Sequence, residues 1–297
     1  MQYTTLGSSP LRISRIAFGC MSLSKEGNAA SILHKAVEAG INYFDTADLY
    51  DKGLNEALIG AALKGLRKQV IIATKVGNVW RPDGSGWDWN PGKEHIIKSV
   101  DDSLQRLQTD YIDLYQLHGG TMEDRIDETI EAFEQLVQQG KIRYYGISSI
   151  RPNVIREWAQ QSNMISVMTQ YSLLDRRPEE AILPLLQEKG ISVLVRGSVA
   201  QGLLINKPAK PYLGYTAEQV KKAADLVHAL STGERKAAQT ALQFVLQQPG
   251  VSAAVVGIRT LEQLDEAVQT MQVPALTTNE RQQLAEVLPP LIYQEHR

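Results

Sequence analysis

The run VIIATK at residues 70–75 is apolar and β-branched until it stops on a lysine, and five other runs in the chain have the same form. These runs read INYFD, YIDLYQLH, RYYGISS, SVMTQ and ISVLVR, and the six runs together present Asp45, Lys75, His118, Ser148, Gln170 and Arg196 at or near their carboxyl ends. Helical stretches separate the runs, so the rhythm predicts alternating strands and helices. In parallel βα barrels, the carboxyl ends of the strands carry function and the amino ends carry stability. We therefore predict an α/β fold, a (β/α)8 TIM barrel with these residues on its functional end, the rim.

The rest of the chain fits a complete barrel. Residues 2–14 predict a β-hairpin that turns at residues 7–10, which we expect to plug the opposite end, the floor. RIAFG predicts the first barrel strand, and the others are predicted over 41–45, 70–75, 111–117, 143–147, 166–170, 191–195 and 251–256. Helices are predicted near 28–39, 54–63, 93–107, 124–139, 179–188 and 234–247, with two more beginning at Pro152 and Thr260. A final helix near 277–288 is additional to the barrel.

Length and charge narrow the class of protein. By length alone 297 residues fit two domains, but the repeating pattern favours one barrel domain over residues 1–297. A net charge of -2 leaves no basic stripe for nucleic acid and no polybasic patch for a membrane. The amino terminus has no signal-peptide pattern, and no apolar run approaches the ~20 residues that cross a bilayer. We expect a cytoplasmic protein that acts on a small molecule.

Two connections between predicted elements exceed the usual ~2–6 residues and leave from the rim. The first, residues 77–92, carries Trp80, Trp87 and Trp89. Their large apolar faces suit the wall of a substrate cleft, although they equally suit a cover over the barrel. The second connection, residues 197–216, carries QGLL. Both connections are candidates for function.

Four residues fall into a recognisable catalytic pattern. Asp45 and Tyr50 lie in DTADLY, Lys75 closes ATK, and His118 closes QLH. In order and spacing they match the catalytic tetrad of the aldo-keto reductase superfamily, which the chain resembles over nearly its whole length. The resemblance also includes GKIRYYGISS at 140–149, QYSLLD at 170–175, AQGLL at 200–204 and GIRTLEQL at 257–264. It implies an NADP(H)-dependent enzyme that reduces a carbonyl group.

The chemistry explains these residue types. Carbonyl reduction delivers hydride to carbon and a proton to an oxygen that becomes negative. The resemblance implies that Tyr50 is the acid, that Lys75 stabilises its phenolate, and that Asp45 keeps the lysine charged. His118 would donate to the carbonyl oxygen and orient it. Each residue alone also fits a structural role, and Lys75 fits a Schiff-base nucleophile, but an adjacent carboxylate keeps an ammonium charged and non-nucleophilic.

No GxGxxG motif follows any predicted strand, so a Rossmann-type pyrophosphate turn is absent. The resemblance instead implies that the adenosine end of the cofactor lies on Gly257, Arg259 and Gln263, with Arg259 on the 2′-phosphate and Gln263 on adenine. Residues 260–263 form a capping-box pattern, and exposed amides at a helix start attract phosphate. The alternative is a surface salt bridge at Arg259 beside an ordinary helix cap. Two departures weaken the expected preference for NADP over NAD. Ala267 replaces an Asn that is frequent in the family, and Glu262 places a negative charge beside the expected 2′-phosphate.

At the nicotinamide end, Ser148, Ser149 and Gln170 match positions that bind the carboxamide, although Asn is commoner at the second serine. Arg196 stands where the family usually places a stacking aromatic residue. A planar guanidinium also stacks, and its charge disfavours the cationic oxidised ring relative to the neutral reduced ring. We therefore predict a bias toward carbonyl reduction. The alternative is that Arg196 forms a salt bridge with a rim carboxylate.

The remaining candidates carry less information. Ser198, Gly202 and Leu203, with Leu204, match a loop that straps the pyrophosphate through backbone amides, and Met21 is placed to line the same cleft. The single cysteine, Cys20, reads as a packed small hydrophobic residue, and we assign it no chemistry.

The leading hypothesis is an NADPH-dependent enzyme that reduces an uncharged aldehyde or ketone without a metal; aromatic carbonyls and dicarbonyls are among the candidates, and the sequence does not choose between them. Five scattered His and one Cys offer no metal site. The first alternative is an NADP(H)-binding regulatory subunit with little turnover, against which the intact tetrad argues. The second is a Schiff-base lyase, which would form a covalent adduct at Lys75.

Overall fold

The chain folds around a closed barrel of eight parallel strands. The structure is a computed structural model and describes residues 1–23, 28–231 and 233–297. In chain order the strands are β1 (Tyr3–Thr5), β2 (Arg12–Ser14), β3 (Ile16–Gly19), β4 (Tyr43–Asp45), β5 (Ile71–Val76), β6 (Asn78–Trp80), β7 (Trp87–Trp89), β8 (Ile112–Leu117), β9 (Ile142–Ser148), β10 (Ser166–Gln170), β11 (Ser192–Arg196) and β12 (Val251–Gly257). The barrel order is β3, β4, β5, β8, β9, β10, β11 and β12, and β12 pairs in parallel with β3 to close the ring. The predicted (β/α)8 barrel is confirmed.

Helices surround the barrel. They are α1 (Ala29–Glu38), α2 (Leu54–Leu63), α3 (Lys93–Leu107), α4 (Ile126–Gln138), α5 (Pro152–Gln161), α6 (Ile182–Glu188), α7 (Ala217–Ala229), α8 (Ala237–Leu246), α9 (Leu261–Gln269) and α10 (Thr278–Glu286). The prediction missed α7, although Thr216 and Gln219 form a capping box that marks its start. The helix predicted near 179–188 begins later, after a 3₁₀ turn at Arg177–Glu179. No helix in the described part of the chain is long and apolar enough to span a membrane.

The amino-terminal hairpin closes the floor, as predicted. β1 and β2 pair antiparallel, and Leu6 between them is fully buried with the side chains inside the barrel. The amide of Gly7 donates to Ser192 Oγ at 2.7 Å. Gly7 has a φ of 54°, and a Cβ there would lie 2.2 Å from the carbonyl oxygen of Ile165, so only glycine fits this turn.

The period-2 alternation of the barrel strands determines which side chains reach the rim. Along β5, Ile71 and Ala73 belong to the core inside the barrel, and Lys75 follows on the same face. Along β8, Leu114 belongs to that inner core, and His118 lies four residues further on. The intervening residues face the helices, where Ile72 belongs to the larger outer core. The inner face therefore ends in polar groups at the rim.

The first long connection is ordered as a hairpin, which the sequence did not predict. β6 and β7 pair antiparallel, with Asn78 opposite Trp89 and Trp80 opposite Trp87. The rings of Trp80 and Trp87 meet edge to face, with centroids 5.6 Å apart. The hairpin follows β5 directly, so it rises beside Lys75.

Candidate active site

Lys75 forms the centre of the candidate site. It is fully buried, and its Nζ donates to Asp45 Oδ1 at 2.5 Å, to the carbonyl oxygen of Thr46 at 2.7 Å and to Tyr50 Oη at 3.4 Å. β4, the turn after it, and β5 supply these groups. Three of the four predicted catalytic residues are therefore in direct contact.

The charge of Lys75 follows from its neighbours. Burial lowers the pKa of the ammonium, but the Asp45 carboxylate and Tyr50 raise it, and the pKa lies above its ordinary value. Because nucleophilic attack needs the neutral amine, this environment favours the charged donor over the Schiff-base nucleophile.

His118 completes the predicted tetrad. Its ring meets that of Tyr50 edge to face, with centroids 5.7 Å apart and an interplanar angle of 83°. Its Nδ1 is buried and has no hydrogen-bond partner among the described residues. Burial lowers the pKa of His118 to about 3, with further lowering from Lys75 and Arg196, so the imidazole is neutral at working pH. A neutral imidazole donates one N–H to a substrate oxygen without adding charge.

Gln116 is a rim residue that the sequence analysis missed. It is fully buried, and its Nε2 donates to Asp45 Oδ2 at 3.4 Å. Its position two residues before His118, on the same strand face, is the signal that identifies it. Gln116 thus orients the second oxygen of the carboxylate that holds Lys75.

The turn that carries Tyr50 has an unusual backbone. It is the 3₁₀ segment Tyr50–Gly53, in which Asp51 and Lys52 have φ values of 48° and 54°. Gly53 follows with a φ of 83°. Left-handed backbone costs a residue other than glycine about 1–2 kcal/mol, so surrounding contacts must hold this turn.

The three predicted substrate tryptophans separate into two groups. Trp80 Nε1 donates to the carbonyl oxygen of Leu49 at 3.0 Å, so Trp80 and its partner Trp87 lie beside the Tyr50 turn. Trp89 Nε1 donates to Asp124 Oδ1 at 2.9 Å. A Cβ on Gly77 would lie 2.7 Å from the Trp89 ring, so this indole covers the barrel end. Trp89 therefore packs as a cover over the barrel, whereas Trp80 and Trp87 remain candidates for the wall of a substrate cleft.

Gln170 and Arg196 belong to one hydrogen-bonded network. Arg196 Nη1 donates to Gln170 Oε1 at 2.9 Å, and Gln170 Nε2 donates to Asp175 Oδ2 at 2.9 Å and to Tyr212 Oη at 3.1 Å. Asp175 is fully buried and receives two hydrogen bonds from Arg177. A carboxylate only accepts, so it fixes the amide orientation of Gln170. Arg196 therefore contacts an amide oxygen on the rim, where the sequence left open a salt bridge.

The other predicted nicotinamide and pyrophosphate positions lie at three places on the rim. Ser148 and Ser149 are buried at the end of β9, and Ser149 Oγ accepts from the Arg151 amide at 3.2 Å. Ser198 Oγ is buried without a hydrogen-bond partner in the residues that the structure describes. The Gly202 and Leu203 amides donate to the carbonyl oxygens of Val199 and Ala200 at 2.9 and 3.1 Å. Those two amides can bind a phosphate only if this loop opens.

The predicted adenosine end lies at the start of α9. Gly257 ends β12, and the Arg259 guanidinium donates to Ser22 Oγ at 3.4 Å. Thr260 accepts from the Gln263 amide at 3.2 Å, as a helix cap does. The Gln263 side chain accepts from the Arg259 amide at 2.8 Å, where a capping box would use the cap residue's own amide. The predicted cap is therefore present in a modified form.

Cys20 and Met21 follow β3 in a short 3₁₀ turn. Met21 is 64% exposed, whereas Cys20 is fully buried. Burial raises the pKa of the Cys20 thiol well above its ordinary value, so it is a poor nucleophile. This environment agrees with the packing role expected from the sequence.

Comparison with known proteins identifies relatives over the whole chain. The model of the Aldo/keto reductase family matches residues 15–289. The chain is 50% identical over 307 residues to the uncharacterized oxidoreductase YqkF of Bacillus subtilis, covering 100% of both. It is 30% identical over 308 residues to the NADH-specific methylglyoxal reductase of Escherichia coli, covering 92% of this chain and 94% of that protein. The holo form of aldo-keto reductase AKR11C1 from Bacillus halodurans has 50% identity and a TM-score of 0.94, covering 100% of this chain and 99% of that chain.

Proposed function

This chain belongs to the aldo/keto reductase family of oxidoreductases, and on that premise we propose that it reduces an aldehyde or a ketone to an alcohol with NADPH. The observation that carries the proposal is the contact of one buried ammonium with both a carboxylate and a phenol. Lys75 Nζ lies 2.5 Å from Asp45 Oδ1 and 3.4 Å from Tyr50 Oη. This arrangement suits a phenol that donates a proton.

Tyr50 donates its proton to the carbonyl oxygen as that oxygen gains negative charge. The phenolate that remains is stabilised by the Lys75 ammonium, which Asp45 holds in place. The Lys75–Asp45 pair is shielded from bulk water, since Lys75 is fully buried and Asp45 is 4% exposed. Charge interactions are stronger in such an environment than in water.

His118 orients the substrate. As a neutral imidazole it donates to the carbonyl oxygen and directs that oxygen toward Tyr50, whose ring it meets edge to face. The nearby charge of Arg196 helps to keep the imidazole neutral.

The rim groups fit a nicotinamide dinucleotide. The cofactor supplies hydride to the carbonyl carbon when it is bound. Ser148, Gln170 and Arg196 would hold the nicotinamide end, and the buried Ser198 hydroxyl, which lacks a partner in residues 1–23, 28–231 and 233–297, suits a ligand in the same cleft. Arg259 contacts a serine hydroxyl, so its fork remains available to a 2′-phosphate.

The remaining proposed contacts are Gly257 and Gln263 for the adenosine, Ser149 and Met21 at the cleft, and, once their loop opens, the backbone amides of Gly202 and Leu203 for the pyrophosphate. The choice of NADPH rests on Arg259. NADH is the second candidate, because Glu262 places a negative charge in the first turn of α9, three residues after Arg259, and the Escherichia coli relative is named as NADH-specific.

The substrate that we propose is a small uncharged carbonyl compound. Trp80 and Trp87 stand beside the Tyr50 turn and offer apolar faces. A relative of the chain is named as a methylglyoxal reductase, which supports dicarbonyls as the first compounds to test.

The test is the loss of reduced-nicotinamide absorbance with a panel of aldehydes, ketones and dicarbonyls, using NADPH and NADH. We expect turnover with NADPH, and a fall in kcat of about 10²–10⁴-fold in Tyr50→Phe. Tyr111→Phe is the matched control, since that ring lies between Arg67 and Arg143 at the floor. Tight NADPH binding without turnover would favour the regulatory subunit instead.

A further inference from the structure

We propose that Arg106, paired with Glu56, is a positioning residue that holds the Tyr50 turn at the correct distance from Lys75. The inference rests on the proposed role of Tyr50 as the acid. Arg106 lies on α3, outside the barrel, and it contacts neither Lys75 nor His118 among the hydrogen bonds of the described residues. Its effect on the reaction is therefore indirect.

The backbone of the Tyr50 turn is strained. Asp51 and Lys52 have left-handed backbone, with φ values of 48° and 54°, and Gly53 follows with a φ of 83°. Two successive residues other than glycine keep this backbone only when neighbouring groups impose it. Because Tyr50 begins the same turn, whatever imposes this backbone also determines where the phenol lies.

Arg106 packs directly against this turn. A Cβ built on Gly53 would lie 2.8 Å from Arg106 Cδ and 2.9 Å from Arg106 Nε, so the arginine stem lies flat against the glycine backbone. Arg106 Nε donates to Glu56 Oε2 at 2.6 Å, and Nη2 donates to Ser103 Oγ at 3.1 Å. These two anchors hold the stem in place.

Glu56 links the Arg106–Glu56 pair to the strand that carries Lys75. Glu56 is fully buried, and its other oxygen, Oε1, accepts from Thr74 Oγ1 at 2.5 Å. Thr74 immediately precedes Lys75 in β5 and faces the helices. Glu56 thus connects the strand that presents Lys75 to the arginine that supports the Tyr50 turn. The 3.4 Å contact between Lys75 and Tyr50 is maintained from outside the barrel as well as from inside.

The charges in this cluster balance. Asp48 Oδ1 is enclosed and lacks a hydrogen-bond partner within the described ranges. Burial, together with Glu56, raises the pKa of Asp48 to about 8, against the lowering effects of Arg106 and Lys75. Asp48 is therefore mostly neutral at pH 7, and Glu56 is the anion that Arg106 neutralises. Removing Arg106 alone would leave Glu56 charged and buried, so a clean test removes both charges.

The experiment compares wild type with Glu56→Gln/Arg106→Met, whose matched control is Asp113→Asn/Arg67→Met. The control pair has a similar contact of 2.7 Å and lies at the floor. The measurements are kcat, KM, the dissociation constant of NADPH from fluorescence quenching, Tm, and the solvent isotope effect on kcat. We expect kcat of the first variant to fall about tenfold or more, since small displacements of a reacting group are costly. NADPH affinity should stay within about twofold, and the solvent isotope effect should increase because proton transfer becomes more rate-limiting. The control should lower Tm and leave kcat unchanged.

Wild-type kcat and an unchanged isotope effect in Glu56→Gln/Arg106→Met would overturn the positioning role. An equal loss of kcat in the floor control would also overturn it, because general loosening would then explain both results. If the paired variant does not fold, Arg106→Lys is measured in its place. A lysine keeps the positive charge but loses the planar guanidinium. We expect a smaller loss of kcat with the same increase in the solvent isotope effect. Wild-type kcat there overturns the inference. A fully active Tyr50→Phe would instead disprove the proposed acid, which separates the two failures.

Discussion

Each end of the barrel contains a buried ion pair, and their surroundings differ. At the floor, Arg67 lies 2.7 Å from Asp113, whose two oxygens also accept from the Ile72 amide and from Arg143. At the rim, Lys75 lies 2.5 Å from Asp45, and within residues 1–23, 28–231 and 233–297 the nearby His118 Nδ1 and Gln116 Oε1 have no partner.

This difference between the two ion pairs distinguishes a structural pair from one that belongs to a reaction site. A buried pair whose hydrogen-bonding capacity is used by the protein stabilises the fold and leaves no group for a ligand. A buried pair bordered by groups with unused capacity, in a cleft at the end of barrel strands, is typical of a reaction site. By this criterion we interpret Asp113 as structural and propose a functional role for Asp45, although both are acids buried in a strand.

The largest effects are expected when one partner of the ion pair is removed at each end of the barrel. We expect Lys75→Met to lower kcat by about 10³-fold or more, since Tyr50 loses the cation that stabilises its phenolate. We expect Asp113→Ala to leave kcat unchanged and to lower the free energy of unfolding by about 3 kcal/mol, because Arg67 becomes unpaired. Initial rates and urea unfolding of both variants check this. A large kcat loss in Asp113→Ala would contradict the division between the two ends.

A smaller effect is expected when the positive charge of Arg196 at the rim is removed. Because Arg196 is held at the rim by Gln170, we expect its charge to disfavour the cationic oxidised cofactor. Replacing it by an aromatic residue, Arg196→Tyr, should lower the ratio of the NADP⁺ to the NADPH dissociation constant by about tenfold, or 1.4 kcal/mol. Fluorescence titration of both cofactor forms measures this, with Arg143→Tyr at the floor as control. Equal affinities of wild type for the two forms would refute the idea.

The last prediction concerns the pH dependence of stability. The pKa of Asp48 is raised to about 8 by burial and by Glu56, whereas an unfolded Asp titrates near ~3.9. The folded state therefore retains a proton that the unfolded state releases, so this stabilisation is complete below about pH 4 and is lost as the pH rises toward 8. Asp48→Asn removes the titrating group, so we expect Tm of the variant relative to wild type to increase from pH 5 to pH 9. A Tm difference that does not vary with pH would argue against a protonated Asp48.

Much of the barrel was predictable because its signals are local. The apolar runs, their helical spacers and the capping patterns indicate each barrel strand and most helices. The β6–β7 hairpin and α7 were missed because both lie in or beside long connections that read as loops, although Thr216 and Gln219 mark the helix start. The family of the chain also followed from its motifs, and the family match confirms it.

Local sequence patterns were sufficient to predict which residues occupy the ends of the barrel strands. Successive side chains of a strand alternate between its two faces, so Asp45, Lys75 and His118 fall on the inner face of a parallel barrel. The groups that support these residues are brought together by long-range packing. Glu56 and Arg106 are 50 residues apart in the chain, and their pairing depends on the packing of α2 against α3. No local pattern encodes such a contact, because the same residues on exposed helix faces would read as ordinary surface charges.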